Sequence, residues 1–211
     1  MVKLYVEGGG DSKVLQSECR RGFREFLEKA GLSGKMPSIS ACGGRRSAYE
    51  DYCTAIKNGE AAVLLVDSEA TVIEAHQSGA DNKDWLPWAH LKSRPGDGWE
   101  NPKGGADTDC HLMVEVMESW FVADREVLKA FFNQGFRENQ LPAKTRPIES
   151  LSKSAVYDAL QKATADCKTK APYGKGDHSF KILAKLDPQK VIAASPWAKR
   201  FVDQLKLKMG A

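Results

Sequence analysis

Six consecutive apolar residues, Ala61-Ala62-Val63-Leu64-Leu65-Val66, form the longest purely apolar run of the chain, and Asp67-Ser68-Glu69 follows directly. The run lacks the alternation of a strand with one wet face, so it reads as a central parallel strand covered on both sides. Such a strand obliges the chain to supply helices for two layers, which is the α/β arrangement. The flanking pattern agrees. Lys3-Leu4-Tyr5-Val6 is a β-type run closed by Gly8-Gly9-Gly10; Asp11-Ser12 then offers an N-cap, and Leu15, Cys19, Phe23, Phe26 and Leu27 recur at helical spacing. Met36 to Ala41 predicts a second strand, and Tyr49, Tyr52, Cys53 and Ile56 predict a helix ended by Asn58-Gly59. His111 to Val116 predicts another strand, leading into a helix through Glu118-Ser119-Trp120-Phe121. Asp124 caps the next helix, and the remainder is helical, with Asp187-Pro188 and Ser195-Pro196 as helix starts.

At 211 residues the chain suits a single domain: a sheet core from 1–69 and 110–135, an insertion at 70–109, and a basic helical part at 136–211. The insertion holds Trp85, Trp88 and Trp99 among turn residues such as Arg94-Pro95-Gly96-Asp97-Gly98. Those indoles either anchor it to the body or offer stacking surfaces. Residues 1–140 carry 17 basic and 22 acidic groups, a net of −5, whereas 141–211 carry 14 and 6, a net of +8. The basic half is either a polyanion-binding surface or a solvated face. No apolar run approaches the ~20 residues of a membrane span. Glu7 sits where a leader would be apolar, and five scattered cysteines form no C-x-x-C pair. The expectation is a cytoplasmic protein without membrane attachment.

Two acidic groupings carry chemistry. In Val6-Glu7-Gly8-Gly9-Gly10-Asp11, one carboxylate ends a strand and a second opens a helix across a tight turn. Asp67 and Glu69 end the apolar strand, and continued extension would send both side chains off one face. Each pair alone is as readily a capping device as a site. Adjacent parallel strands, however, can bring Glu7, Asp11, Asp67 and Glu69 into one pocket at the carboxyl edge, where such sheets place ligands. Carboxylates that close must protonate or share a cation. Oxygen ligands alone suit Mg²⁺ or Mn²⁺ working on phosphates. A phosphate-cradling Walker loop is absent. Arg45 and Arg46, after Gly43-Gly44, are either backbone-phosphate contacts or a surface pair at a helix start. His178 is a further candidate for phosphate contact or proton transfer.

These residues resemble the Toprim fold of topoisomerases, primases and the overcoming-lysogenization-defect nucleases: a first-strand glutamate, a glycine turn, then an acidic pair in the D-x-D position. Glu69 stands where many of those proteins have Asp, and Asp11, four positions after Glu7, follows the E-G-x-x-E/D spacing of the nuclease branch. Met117-Glu118-Ser119-Trp120-Phe121-Val122-Ala123-Asp124 is similar to the E-x-W-x-x-A-D segment of small Toprim-like bacterial proteins encoded beside ABC-type ATPases. Tyr173-Gly174-Lys175-Gly176, followed by His178-Ser179-Phe180, resembles their Y-x-K-G element, and Ser195 to Arg200 their last helix.

The resemblance implies a Rossmann-like, mostly parallel sheet flanked by helices, with a divalent-metal-dependent nuclease site. Glu7, Asp11, Asp67 and Glu69 would be metal ligands, with Glu118 adding a carboxylate for a second ion or else simply starting its helix. Lys175 would stabilise charge on the scissile phosphate, or stand as a solvated lysine. The expected function is hydrolysis of DNA or RNA with one or two Mg²⁺ or Mn²⁺ ions, with Glu7, Asp67, Glu69 and Lys175 as catalytic residues. Arg45, Arg46, Lys175 and His178 would hold the nucleic acid. The resemblance also implies an ABC-type ATPase partner in anti-phage defence and leaves a homo-oligomer open. The alternative is a non-catalytic metal-binding module that regulates a partner ATPase.

Overall fold

Strand β3 (Ala62–Asp67) is buried along its whole length, between β1 (Lys3–Gly9) and the edge strand β4 (Cys110–Met113). With β2 (Ser38–Gly43) beyond β1, the order is β2-β1-β3-β4 and every neighbouring pair is parallel. The computed structural model describes residues 1–79 and 81–211; Ala80, within the 70–109 insertion, lies outside the described residues. The result is an α/β fold of Rossmann-like form, with the sheet wholly parallel rather than mostly so.

Pleating sends alternate side chains into two cores. Leu4, Val6, Val63, Leu65 and Met113 meet α1 (Lys13–Leu27) and most of the later helices. Tyr5, Leu64, Val66 and Leu112 meet α2 (Arg45–Lys57) and the insertion helix α3 (Pro87–Ser93). After β4 come α4 (Ser119–Ala123), α5 (Arg125–Phe132), α6 (Lys153–Thr164), α7 (Lys175–Leu183), α8 (Pro188–Ala194) and α9 (Pro196–Met209). Among the described residues, no helix is long and apolar enough to cross a membrane.

Two strand boundaries differ from the sequence pattern. β2 extends to Gly43 because Gly8 and Gly9 both pair with Gly43 across a register shift. β4 stops at Met113, short of Val116. Glu115 is drawn out of the sheet by the Thr71 hydroxyl at 2.7 Å and the Lys153 N–H at 2.8 Å, both donating to its carboxylate.

The tryptophans anchor the insertion and are not free stacking platforms. Trp99 stacks on Tyr49 with ring centroids 4.7 Å apart, Trp88 donates to the Ala106 carbonyl, and Trp85 packs on Trp197 of α9. Arg200, fully buried on α9, completes the attachment. Its guanidinium donates to the carbonyls of Asn82 at 2.7 Å, Cys110 at 2.8 Å and Asp107 at 2.8 Å, so one side chain joins two separate segments of the insertion to β4.

β1 feeds α1 toward β2, while β3 lies on the other side of β1, so the chain diverges at the carboxyl ends of β1 and β3. That crevice is where parallel sheets take ligands. The glycine turn shapes it: Gly9 has φ +92°, and a Cβ there would lie 2.7 Å from the Gln16 Cα. Gly9→Ala is expected to lower stability by about 2 kcal/mol, read as a fall in urea midpoint at constant m.

A candidate metal centre at the crevice

Asp67 is the innermost acidic residue of the crevice, only 2% exposed, and its position follows from being the last residue of the most buried strand. Its own N–H donates to Glu7 Oε2 at 3.1 Å, which ties the ends of β1 and β3 together. Asp67 Oδ1 accepts from the Met117 N–H at 2.8 Å, and Oδ2 faces the Lys175 ammonium at 3.8 Å, beyond hydrogen-bond range. Glu69 arrives by a different route from the expected one. Extension ends at Asp67, and Glu69 takes a left-handed φ of 60°, yet Glu7, Asp67 and Glu69 each present an oxygen within 4.8 Å of the others. A cavity of about 200 Å³ opens beside Glu7 and Asp67, walled by the glycine turn, Met117, Lys175 and Phe180. Helix α7 begins at that wall with no side chain capping it, leaving first-turn N–H groups for an anion.

The electrostatics are unbalanced. Burial pushes the Asp67 carboxyl well up, and the neighbouring Glu7 and Glu118 carboxylates push it further. Burial also raises Glu7, with Arg45 and the Asp67 N–H pulling it back in part. Lys175 loses some charge stability to burial, but Glu118 and Asp67 outweigh that and raise its pKa. Cations do approach the carboxylates, unequally. Glu69 is held by Lys153 on both oxygens at 2.7 Å. Arg45 reaches Glu7 only at 3.5 Å, because Asp97 of the insertion grips the same guanidinium at 2.6 and 3.0 Å. Glu7 and Asp67 therefore remain incompletely compensated, whereas Glu69 is already paired.

The oxygen-only donor set and the residual negative charge fit a hard divalent ion. Glu7 and Asp67 could hold one, and Glu69 could join only by leaving Lys153.

Several expected site residues lie elsewhere. Asp11 is exposed on the turn, outside the converging group, because Ser12 rather than Asp11 caps α1. Glu118 is not a free ligand: it is fully buried, and its oxygens accept from the hydroxyls of Tyr173 at 2.9 Å, Ser179 at 3.0 Å and Tyr157 at 3.2 Å. It acts on the crevice through its charge on Lys175. His178 is buried against Phe131 and Phe132, and its Nδ1 accepts the Gly174 N–H at 3.0 Å, so it cannot touch a nucleic acid as expected. Arg45 turns inward, its guanidinium 4.7 Å over the Trp99 ring, and is not offered to backbone phosphate. Arg46 is exposed and pairs with Glu50 one helical turn on. Of the basic candidates, Lys175 and Arg45 face the carboxylates, Lys175 at 3.8 Å from Asp67 and Arg45 at 3.5 Å from Glu7.

The pattern gave no warning of Lys153, Asp97 or the Tyr157, Tyr173 and Ser179 hydroxyls. Tyr173 and Ser179 do flank the Lys175 segment, which was the one available signal.

The chain belongs to the family described as Domain of unknown function (DUF4276), whose match spans residues 6–206. No curated protein and no solved structure matches it.

Proposed function

We propose that this family member is a divalent-metal-dependent nuclease that hydrolyses phosphodiester bonds of DNA or RNA. The observation that carries the reading is the convergence of Glu7, Asp67 and Glu69 within 4.8 Å at the β1–β3 crevice, with Lys175 beside them. Glu7 and Asp67 would hold one Mg²⁺ or Mn²⁺, and a second ion would draw Glu69 from Lys153. Bound there, such an ion supplies a water of lowered pKa and neutralises charge on the phosphate. The Lys175 ammonium, beside Asp67, and the open first turn of α7 would hold the scissile phosphate. The basic half of the chain follows the rest of the backbone without reading bases. The Toprim resemblance supports the same assignment and adds a cytoplasmic setting, an ABC-type ATPase partner and a role in bacterial anti-phage defence.

One observation favours the other reading, a metal-binding module that regulates a partner without cleaving: Lys153 occupies both oxygens of Glu69. Digestion of plasmid, single-stranded DNA and total tRNA with Mg²⁺, Mn²⁺ or EDTA separates the two. The expected result is cleavage that EDTA stops and that Glu7→Gln, which removes a ligand charge, slows severely. Calorimetric Mn²⁺ binding with no cleavage of any substrate would establish the module instead.

A further inference from the structure

A second cavity, a groove of about 670 Å³ against about 200 Å³ for the acidic crevice, lies between α5, the loop through 144–148 and α8. Its charges do not cancel. Of the acidic side chains on its walls, Glu126 is taken by Lys190, which also pairs with Asp124, and Glu138 is taken by Lys144 at 3.3 Å. Arg125, Lys129 and Arg146 are left without a carboxylate among the described residues. Arg125 donates only to the Pro142 carbonyl, and Arg146 only to the Ser150 carbonyl at 3.3 Å.

Helix stability does not explain Arg125, because it occupies the first position of α5, where the helix dipole disfavours a cation. It is also half-buried, so its charge is partly desolvated without a counter-ion. Two guanidiniums and an ammonium, two of them on α5 and one on the 144–148 loop, match an anion with several oxygens, since the planar fork of arginine binds phosphate bidentately. The groove is also partly apolar: Val122, Ile148, Ala193 and Ala194 line it. Its volume falls within the range of small-molecule sites.

We propose that this groove binds a nucleoside di- or triphosphate, with the phosphates on Arg125, Lys129 and Arg146 and the base on the apolar lining. This site is separate from the acidic crevice and does not depend on its being a nuclease. The test is calorimetry on the full chain in EDTA with ADP, ATP, pyrophosphate and adenosine. ADP and ATP are expected to bind, pyrophosphate more weakly and adenosine not measurably. Arg125→Ala with Arg146→Ala should weaken ADP about tenfold or more. The exposed pair Lys129→Glu with Arg146→Glu should do the same without disturbing the fold. Asp67→Asn should bind ADP as the parent does, which keeps this result apart from the fate of the metal centre. Absence of ADP binding at millimolar concentration, indifference to both double variants, or pyrophosphate binding as tightly as ADP would overturn the assignment. Binding of a single-stranded oligonucleotide to the exclusion of ADP would also overturn it, in favour of a nucleic-acid track.

Discussion

Asp67→Asn is expected to abolish metal-dependent cleavage and, in EDTA at neutral pH, to raise the melting temperature. Asparagine keeps the shape and can still accept the Met117 N–H through Oδ1. What it removes is a negative charge that is fully buried beside Glu7 and Glu118. The carboxyl of Asp67 is raised above its ordinary value of 3.8, so the folded chain binds this proton more tightly than the unfolded chain does. The contribution of Asp67 to stability is therefore greatest at low pH. It declines as pH rises through about 4 toward the raised folded value, and at neutral pH it is a net cost. Removing the charge should recover about 1–2 kcal/mol, roughly 3–6 °C for a chain of this size. Mn²⁺ should raise the melting temperature of the parent, because a ligand of the native state stabilises it, and should leave the variant unchanged. Scanning fluorimetry across pH 4–8, with EDTA and with Mn²⁺, reads both effects. A variant less stable than the parent in EDTA would mean that Lys175 already satisfies Asp67, and the need for a cation would disappear.

Arg200→Met should be the most destabilising single change outside the sheet. The side chain is fully buried and its guanidinium supplies the carbonyls of Asn82, Cys110 and Asp107. Methionine fills much of the volume but leaves those oxygens desolvated and unpaired. The expected cost is about 3–5 kcal/mol, a fall of roughly 10 °C or more. Arg200→Lys should recover little of it, because one ammonium cannot span three divergent acceptors. Limited proteolysis should show early cleavage inside 70–109 in both variants. Unchanged protease resistance would mean that the tryptophan contacts suffice to hold the insertion.

β3 is legible from composition because a strand buried on both faces leaves no polar position in its run. The glycine turn is equally plain, since three consecutive glycines have few other uses. The meeting of Glu7 with Asp67 follows from strand adjacency alone. Side-chain pairing is harder, because it depends on residues far away in sequence. Nothing near Glu69 announces Lys153, and nothing near Arg45 announces Asp97, whose grip turns the guanidinium inward. Glu118 shows the same limit: a carboxylate in a motif reads as a ligand until three hydroxyls from α6 and the Tyr173–Ser179 segment are seen to surround it. His178 is polar in sequence but points into a nest of phenylalanines, which only helix packing decides.

The latch made by Arg200 sets an order of events during synthesis. Asp97 belongs to the insertion and steadies Arg45 beside Glu7, while the insertion is held down from α9. A ribosome that has already delivered both acidic strand ends still withholds Arg200, the side chain that holds down the insertion carrying Asp97. A nascent chain thus carries Glu7 and Asp67 well before Arg45 is steadied beside Glu7, which awaits the emergence and docking of the last helix.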